Sequence, residues 1–269
     1  MIIVKLIGGL GNQLFQYATA RHLSLIQNTE LLLDISEFDT YHLHKFSLFA
    51  FNITEKFATL DQINSLPVCK EKHFHFDPEF KKISNNIVLK GYWQTEKYFK
   101  EIENIILKNF SFKNPAKGKD KKILHSISAT NSVSLHIRRG DYVKNTNESQ
   151  LLISKDINFY HKCVQYVIEK ENNCHFFVFS DDPSWVKENL KLQYPVTYVD
   201  HNNADTNFED LRLMSSCKHN IISNSSFSWW GAWLNRNPYK IVCAPQKWFS
   251  DETKYLDSKD ILPEKWVKL

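Results

Sequence analysis

The sequence predicts an α/β protein of two halves, each a parallel sheet flanked by helices. Three observations point there. Short apolar runs alternate with stretches of helical periodicity along most of the 269 residues, the pattern of parallel strands covered on both faces. Several runs end in clusters of Gly, Ser, Asn or Asp, the residues found where open α/β sheets bind ligands. The alternation breaks at Asn114-Pro115-Ala116-Lys117-Gly118-Lys119-Asp120-Lys121-Lys122, a polar, basic stretch that reads as a domain junction or an exposed loop near one. We divide the chain into residues 1–125 and 126–269, with a cleft expected between the two halves.

Ile2 to Ile7 is an apolar strand ending at Gly8-Gly9-Leu10-Gly11, and Leu14, Tyr17, Ala18, Arg21 and Leu25 follow at helical spacing. Glu30–Asp34 reads as a second buried strand. Residues 35–78 are rich in Phe and His without clean periodicity, so short helices and loops are expected. Ile87–Trp93 predicts a strand and Gln94–Lys108 a helix. In the second half, strands are predicted at Ser132–Ile137, His175–Phe179, Val196–Val199, Asn220–Ile222 and Lys240–Cys243. Helices are expected through Ile157–Ile168, Trp185–Leu190, Phe208–Cys217 and Trp229–Leu234.

Composition narrows the function classes. A net charge of +4 suits an anionic ligand or peripheral contact with an anionic membrane, and is too weak to argue for nucleic acid. The 5 cysteines show no CxxC spacing, which reads as reduced core thiols rather than a disulfide framework or zinc site. No basic leader followed by a long apolar run opens the chain, and no stretch is long enough to span a bilayer. The expectation is a cytoplasmic protein, with room for a peripheral place on the inner face of the plasma membrane.

Four stretches carry the chemistry. Gly8-Gly9-Leu10-Gly11-Asn12-Gln13 joins a strand to a helix. Three glycines in four positions favour close backbone approach to a ligand at a helix N-terminus. Gly9, Gly11 and the amides of Asn12 and Gln13 suit a sugar or a phosphate. A rival is the dinucleotide fingerprint, with Asp34 as the ribose carboxylate, but Leu14 stands where its third glycine belongs. His136-Ile137-Arg138-Arg139-Gly140-Asp141-Tyr142 follows a predicted strand. Alternation puts His136 and Arg138 on one face and Arg139 on the other. Arg138 is therefore expected to meet an anion and Arg139 to pair internally; a surface turn with a local ion pair is the plainer alternative. Ser180-Asp181-Asp182 follows another strand. Asp182 before Pro183 is mainly a helix cap, which leaves Asp181 as the better ligand contact. Last, Ser223-Asn224-Ser225-Ser226-Phe227-Ser228 offers hydroxyls, an amide and backbone N–H groups, a nest for a pyrophosphate beyond what capping needs. Phe227 suits a base or the pocket wall; Trp229 and Trp230 read as core, and Gly231 as a point of tight helix packing. No metal-ligand cluster and no nucleophilic serine motif appears.

Taken together, Gly-Gly-Leu-Gly-Asn-Gln-Leu-Phe-Gln-Tyr-Ala from Gly8, His-Ile-Arg-Arg-Gly-Asp-Tyr from His136 and Ile-Ser-Asn-Ser-Ser-Phe-Ser-Trp-Trp-Gly-Ala-Trp-Leu from Ile222 resemble the alpha-1,2-fucosyltransferases of glycosyltransferase family 11. The resemblance runs from residue 2 to about the end and keeps the family's motif order. It implies a GT-B architecture of two Rossmann-like halves, 1–125 on the acceptor side and 126–269 binding GDP-fucose. It implies inverting transfer of L-fucose to the 2-hydroxyl of a beta-galactoside without a metal, as in surface-glycan or O-antigen synthesis. By motif position, Arg138 would hold the beta-phosphate. His136 and a carboxylate of Ser180-Asp181-Asp182 would meet the guanosine. Asn12 and the glycine turn would lie by the fucose and diphosphate. Asn224, Ser225, Ser226 and Phe227 belong to the nest expected to line the nucleotide pocket, and residues 35–78 would form the acceptor wall. Asp141 is a candidate base or an orienter of an arginine. Beside this stand two other classes, an NAD(P)-dependent oxidoreductase resting on Gly9, Gly11 and Asp34, and a non-catalytic nucleotide-sugar-binding protein.

Overall fold

The computed structural model describes residues 1–40, 43–139, 156–249 and 257–269. They form two compact units, one of residues 1–114 with 257–263, the other of 115–249 with 264–269. Each is built on its own parallel sheet.

The first sheet has the order β2-β1-β4-β3. Its strands are β1 (Ile2–Lys5), β2 (Leu31–Asp34), β3 (Val68–Lys70) and β4 (Ile87–Lys90), all paired in parallel. β1 and β2 are continuous apolar runs, as strands buried on both faces must be. Helix α1 (Leu10–Ile26) is buried along most of its length, polar residues included. A short helix α2 (Leu60–Ser65) starts at a capping box of Thr59 and Gln62, and α3 (Glu103–Asn109) closes the unit's helical layer.

Three expectations for this unit change. The strand expected over 87–93 stops at Lys90, because Gly91 opens a turn in which Trp93 takes φ +56°. The helix expected over 94–108 is broken into short 3-10 turns at 96–98 and 100–102 before α3. Adjacent Tyr98 and Phe99 are both fully buried, whereas neighbours on a straight helix face directions 100° apart. β3 was not expected at all; it is an exposed three-residue edge strand with no apolar run to announce it.

The second sheet has the order β10-β9-β8-β5-β6-β7. Its strands are β5 (Asn131–Ile137), β6 (Cys174–Ser180), β7 (Val196–Val199), β8 (His219–Ile221), β9 (Val242–Ala244) and β10 (Val267–Lys268), again all parallel. Helices α4 (Gly118–Ala129), α5 (Ile157–Ile168), α6 (Pro183–Asn189), α7 (Asn207–Ser216) and α8 (Ser226–Leu234) cover it. The basic stretch read as a loop or junction runs into α4, whose sole fully buried residue is Ile127; a helix with so narrow an apolar stripe hides among its charges. In α8, Trp229 and Trp230 are fully buried, and a Cβ at Gly231 would sit 3.0 Å from the Met214 side chain. That is the core role expected of this stretch.

Among the described residues the five cysteines are free thiols, four of them buried and Cys69 half-buried on β3. No helix among those residues is long and apolar enough to cross a membrane.

Candidate functional site

Strand register builds the arginine motif of the second unit. Ile137 on β5 lies opposite Ser180 on β6, so both strands end level and the next residues, Arg138 and Asp181, emerge side by side. Arg138 Nε lies 3.2 Å from Asp181 Oδ2. The other carboxylate oxygen of Asp181 accepts the backbone N–H of Arg139 at 2.8 Å. Arg139 in turn faces Asp182, Nε to Oδ2 3.5 Å, and its guanidinium lies 3.4 Å over the Trp185 ring. Both arginines are therefore paired within the chain, where only Arg139 had been expected to be. Arg138 remains about a quarter exposed, held by its carboxylate at a strand's carboxyl end.

Asp182 behaves as a cap. Its Oδ1 accepts the N–H of Trp185 at 3.2 Å, with Pro183 in the first turn of α6. Ser180 Oγ accepts the N–H of Asp182 at 3.0 Å. The segment 180–182 thus shapes the turn and orients the two arginines. Asp141 lies outside the described residues.

On the other side of β5, His136 is buried, with Nδ1 3.0 Å from Ser223 Oγ and its ring 5.8 Å from that of Phe227. Burial pushes its pKa well down and the Arg138 charge adds to this, against the opposing pull of Asp181. The imidazole is therefore neutral at neutral pH. Asn224 is buried and its amide donates to the Trp248 carbonyl at 2.9 Å. Ser225 is the N-cap of α8 yet makes no side-chain cap, and Ser225, Ser226 and Phe227 are all half-buried. The structure thus brings His136, Ser223 and Phe227 together near the end of β5, two residues before Arg138 and within electrostatic reach of the Arg138–Asp181 pair.

The first unit assembles the other motif around the polar face of α1. Gly8 has φ +73°, and a Cβ there would sit 2.5 Å from Asn12 Nδ2; a side chain is excluded twice over. Gly9 caps α1 without a side chain, Gly11 is buried within the helix, and Asn12 is half-buried beside them. Gln13 does not fit the ligand-binding role given to it. It is wholly buried, Nε2 donates to the carbonyls of Gly8 and Lys45 at 2.9 Å each, and Oε1 accepts the N–H of Ser47 at 2.9 Å. It is an internal tie between α1 and the loop around residue 45. Gln16, not singled out in the sequence, spans the ends of two strands, accepting from Ile7 N–H at 3.0 Å and donating to the Gly91 carbonyl at 3.1 Å. Asp34 is 2% exposed and accepts both the N–H and the hydroxyl of Ser36. The carboxylate a dinucleotide ribose would need is turned into a local bend.

The sequence profile of glycosyl transferase family 11 matches residues 1–269. Over 293 residues the chain is 36% identical to an alpha-1,2-colitosyltransferase of Escherichia coli, covering 100% of this chain and 99% of that one. It is 31% identical to the O-antigen biosynthesis glycosyltransferase WbnK of the same species, covering 97% and 98%. A galactoside alpha-(1,2)-fucosyltransferase 2 of Hylobates lar is 22% identical, covering 87% and 69%. Among solved structures, fucosyltransferase NodZ from Bradyrhizobium is similar with a TM-score of 0.55 at 12% identity, covering 86% and 90%. A variant of Arabidopsis thaliana FUT1 in complex with GDP gives 0.57 at 11% identity, covering 97% and 74%. At those identities the likeness is one of fold, and it is the GT-B type that the resemblance implied. With a profile matched from end to end and two relatives above 30% identity over nearly their full length, the chain belongs to glycosyl transferase family 11.

Proposed function

We propose that this glycosyltransferase moves L-fucose from GDP-beta-L-fucose to the 2-hydroxyl of a beta-galactoside, with inversion and without a metal. The observation that carries the reading is the Arg138–Asp181 pair at the level ends of β5 and β6, in a chain of this family. Departure of GDP builds charge on the beta-phosphate oxygens. A guanidinium oriented beforehand stabilises that charge more than it stabilises the bound donor. Arg138 is assigned this role, with Asp181 holding its fork. Neutral His136 with Ser223 and Phe227 offers a hydrogen-bonding and stacking surface to the guanosine, and Ser225 and Ser226 line the same pocket. Asn12 and the Gly8–Gly11 turn are assigned to the sugar and diphosphate, and residues 35–78 to the acceptor. Asp141 is assigned either deprotonation of the galactose hydroxyl or support of an arginine.

A second donor is favoured by one finding, the 36% identity to a colitosyltransferase. Colitose is fucose without its 3-hydroxyl. A site that hydrogen-bonds this hydroxyl rejects the deoxy sugar by about 10⁴-fold or more, whereas an apolar lining there discriminates weakly. The test is to supply GDP-fucose and GDP-colitose separately with a panel of beta-galactosides and to compare initial rates of GDP release and product mass. Faster transfer from GDP-fucose supports the first reading, and faster transfer from GDP-colitose the second. Absence of transfer from either donor sinks both.

A further inference from the structure

Glu71 belongs to no motif recognised in the sequence, yet it sits under the turn that follows β4. It is 8% exposed. Its two carboxylate oxygens accept successive backbone N–H groups, Oε2 from Tyr92 and Oε1 from Trp93, each at 2.8 Å. Its own N–H donates to the Lys90 carbonyl at 2.9 Å. A Cβ at Gly91 would collide with the Glu71 side chain, so glycine is what lets the carboxylate approach. The turn it grips is strained, because Trp93, a bulky residue, takes φ +56°. Such a conformation persists only where surrounding contacts over-determine it.

That turn leads directly into the sugar-side motif. Gln94, the next residue, is 8% exposed and donates from Nε2 to Asn12 Oδ1 at 2.8 Å. This bond decides which end of the Asn12 amide points where: the carbonyl toward Gln94, the amine over Gly8 at the start of α1. Gln16 steadies the same turn from the helix through the Gly91 carbonyl. The chain of contacts runs from Glu71 through the 91–93 turn and Gln94 to Asn12, wholly inside the first unit.

We infer that Glu71 is a positioning residue that acts through Gln94 to present the amine end of Asn12 at the glycine turn. The inference rests on the reading of Asn12 as a donor-sugar contact. Burial pushes the Glu71 carboxyl up to about 7 despite its two N–H partners. The titratable group facing it is the Tyr98 phenol, itself raised by burial; on its own segment, Lys72 is paired with Asp77 at 3.3 Å. The ionised form grips the turn more tightly than the neutral acid, since charge-assisted hydrogen bonds are the stronger.

The test is a double-mutant cycle on transfer activity with Glu71→Gln, Gln94→Leu and Asn12→Ala, each alone and the first two combined with the third. Each single variant should lower kcat/KM by about 10-fold or more, and the doubles should match Asn12→Ala within about twofold. Losses that multiply, or a Glu71→Gln enzyme within about twofold of wild type, would overturn the inference. Gln94→Leu leaves Glu71 in place, so the cycle survives a misfolded Glu71 variant. A second readout is the Asn12 side-chain amide resonance in protein labelled with ¹⁵N-asparagine, assigned by its loss in Asn12→Ala. It should move in Glu71→Gln, and an unmoved signal refutes the coupling. If the wild type transfers no sugar, the proposed function fails while this resonance still decides the role of Glu71.

Discussion

Asp181 holds Arg138 and the backbone of Arg139 at once, one carboxylate oxygen 3.2 Å from the Arg138 Nε and the other 2.8 Å from the Arg139 nitrogen. A single carboxylate therefore sets both the aim of the guanidinium and the path of the chain leaving β5. Asp181→Asn keeps the size but loses the charge. The expected outcome is a fall in kcat of about 10–100-fold with only a small drop in melting temperature, because the pair is partly exposed and the asparagine oxygen can still accept the Arg139 N–H. Arg138→Lys should cost more, about 10²–10³-fold in kcat, since lysine cannot reproduce the fork. Steady-state kinetics with GDP release as the signal checks both; near-normal turnover in Arg138→Lys refutes the role assigned to it.

Gln13 separates a structural from a binding role. Two of its three hydrogen bonds tie α1 to the 45–47 loop, and the third holds the Gly8 carbonyl. Gln13→Ala should lower unfolding stability by about 2–4 kcal/mol, measured by urea titration, because it orphans buried backbone groups. Donor affinity of the folded fraction should stay within a few-fold of wild type. A large affinity loss without a stability change would return Gln13 to the ligand.

Gly8→Ala tests the glycine turn. The substitution forces an unfavourable backbone at φ +73° and sets a methyl 2.5 Å from the Asn12 amine. We expect strain of about 1–3 kcal/mol and a loss of transfer activity larger than the loss of stability, compared by thermal denaturation and kinetics on one preparation.

Glu71 contributes a pH dependence of stability with a definite sign. Its carboxyl is raised from an ordinary 4.5 to about 7 in the folded chain. As pH climbs past 4.5 the unfolded chain releases this proton and the folded chain keeps it, so stability falls until about pH 7 and then levels. That displacement corresponds to at most ~3 kcal/mol. His136 works the other way, since its buried neutral ring resists protonation and acid below about 6.5 costs stability. The readout is therefore the difference between wild type and Glu71→Gln in melting temperature from pH 5 to 8. It should shift in favour of the variant as pH rises; a pH-independent difference would contradict the burial of an ionisable group at this position.

Much of the fold was legible because periodicity reports burial. β5, β6 and the tryptophans of α8 lie in the core as their apolar runs predict, and Asp182 caps α6 as Asp-Pro predicts. What escaped has a common cause. The turn that ends β4 after Lys90 is held by Glu71, 21 and 22 residues before the Tyr92 and Trp93 it grips, through hydrogen bonds that no local pattern announces. The pairing of Arg138 follows from the register of Ile137 with Ser180, not from strand alternation alone. Gln13 looked like a ligand amide because a buried glutamine and a binding glutamine are the same residue; only the partners distinguish them. Gly91-Tyr92-Trp93-Gln94, a glycine after an apolar strand, was the available signal for the turn.

The central claim is the reaction itself, and the structure of its product tests it most directly. Wild-type protein would be incubated with GDP-beta-L-fucose and a beta-galactoside in the presence of a chelator, and the product analysed by NMR. The account predicts a single alpha-linked fucosyl residue with the substitution shift at galactose C2 and one GDP released per linkage formed. A beta anomer, attachment at another hydroxyl, or a strict need for divalent cation would contradict it.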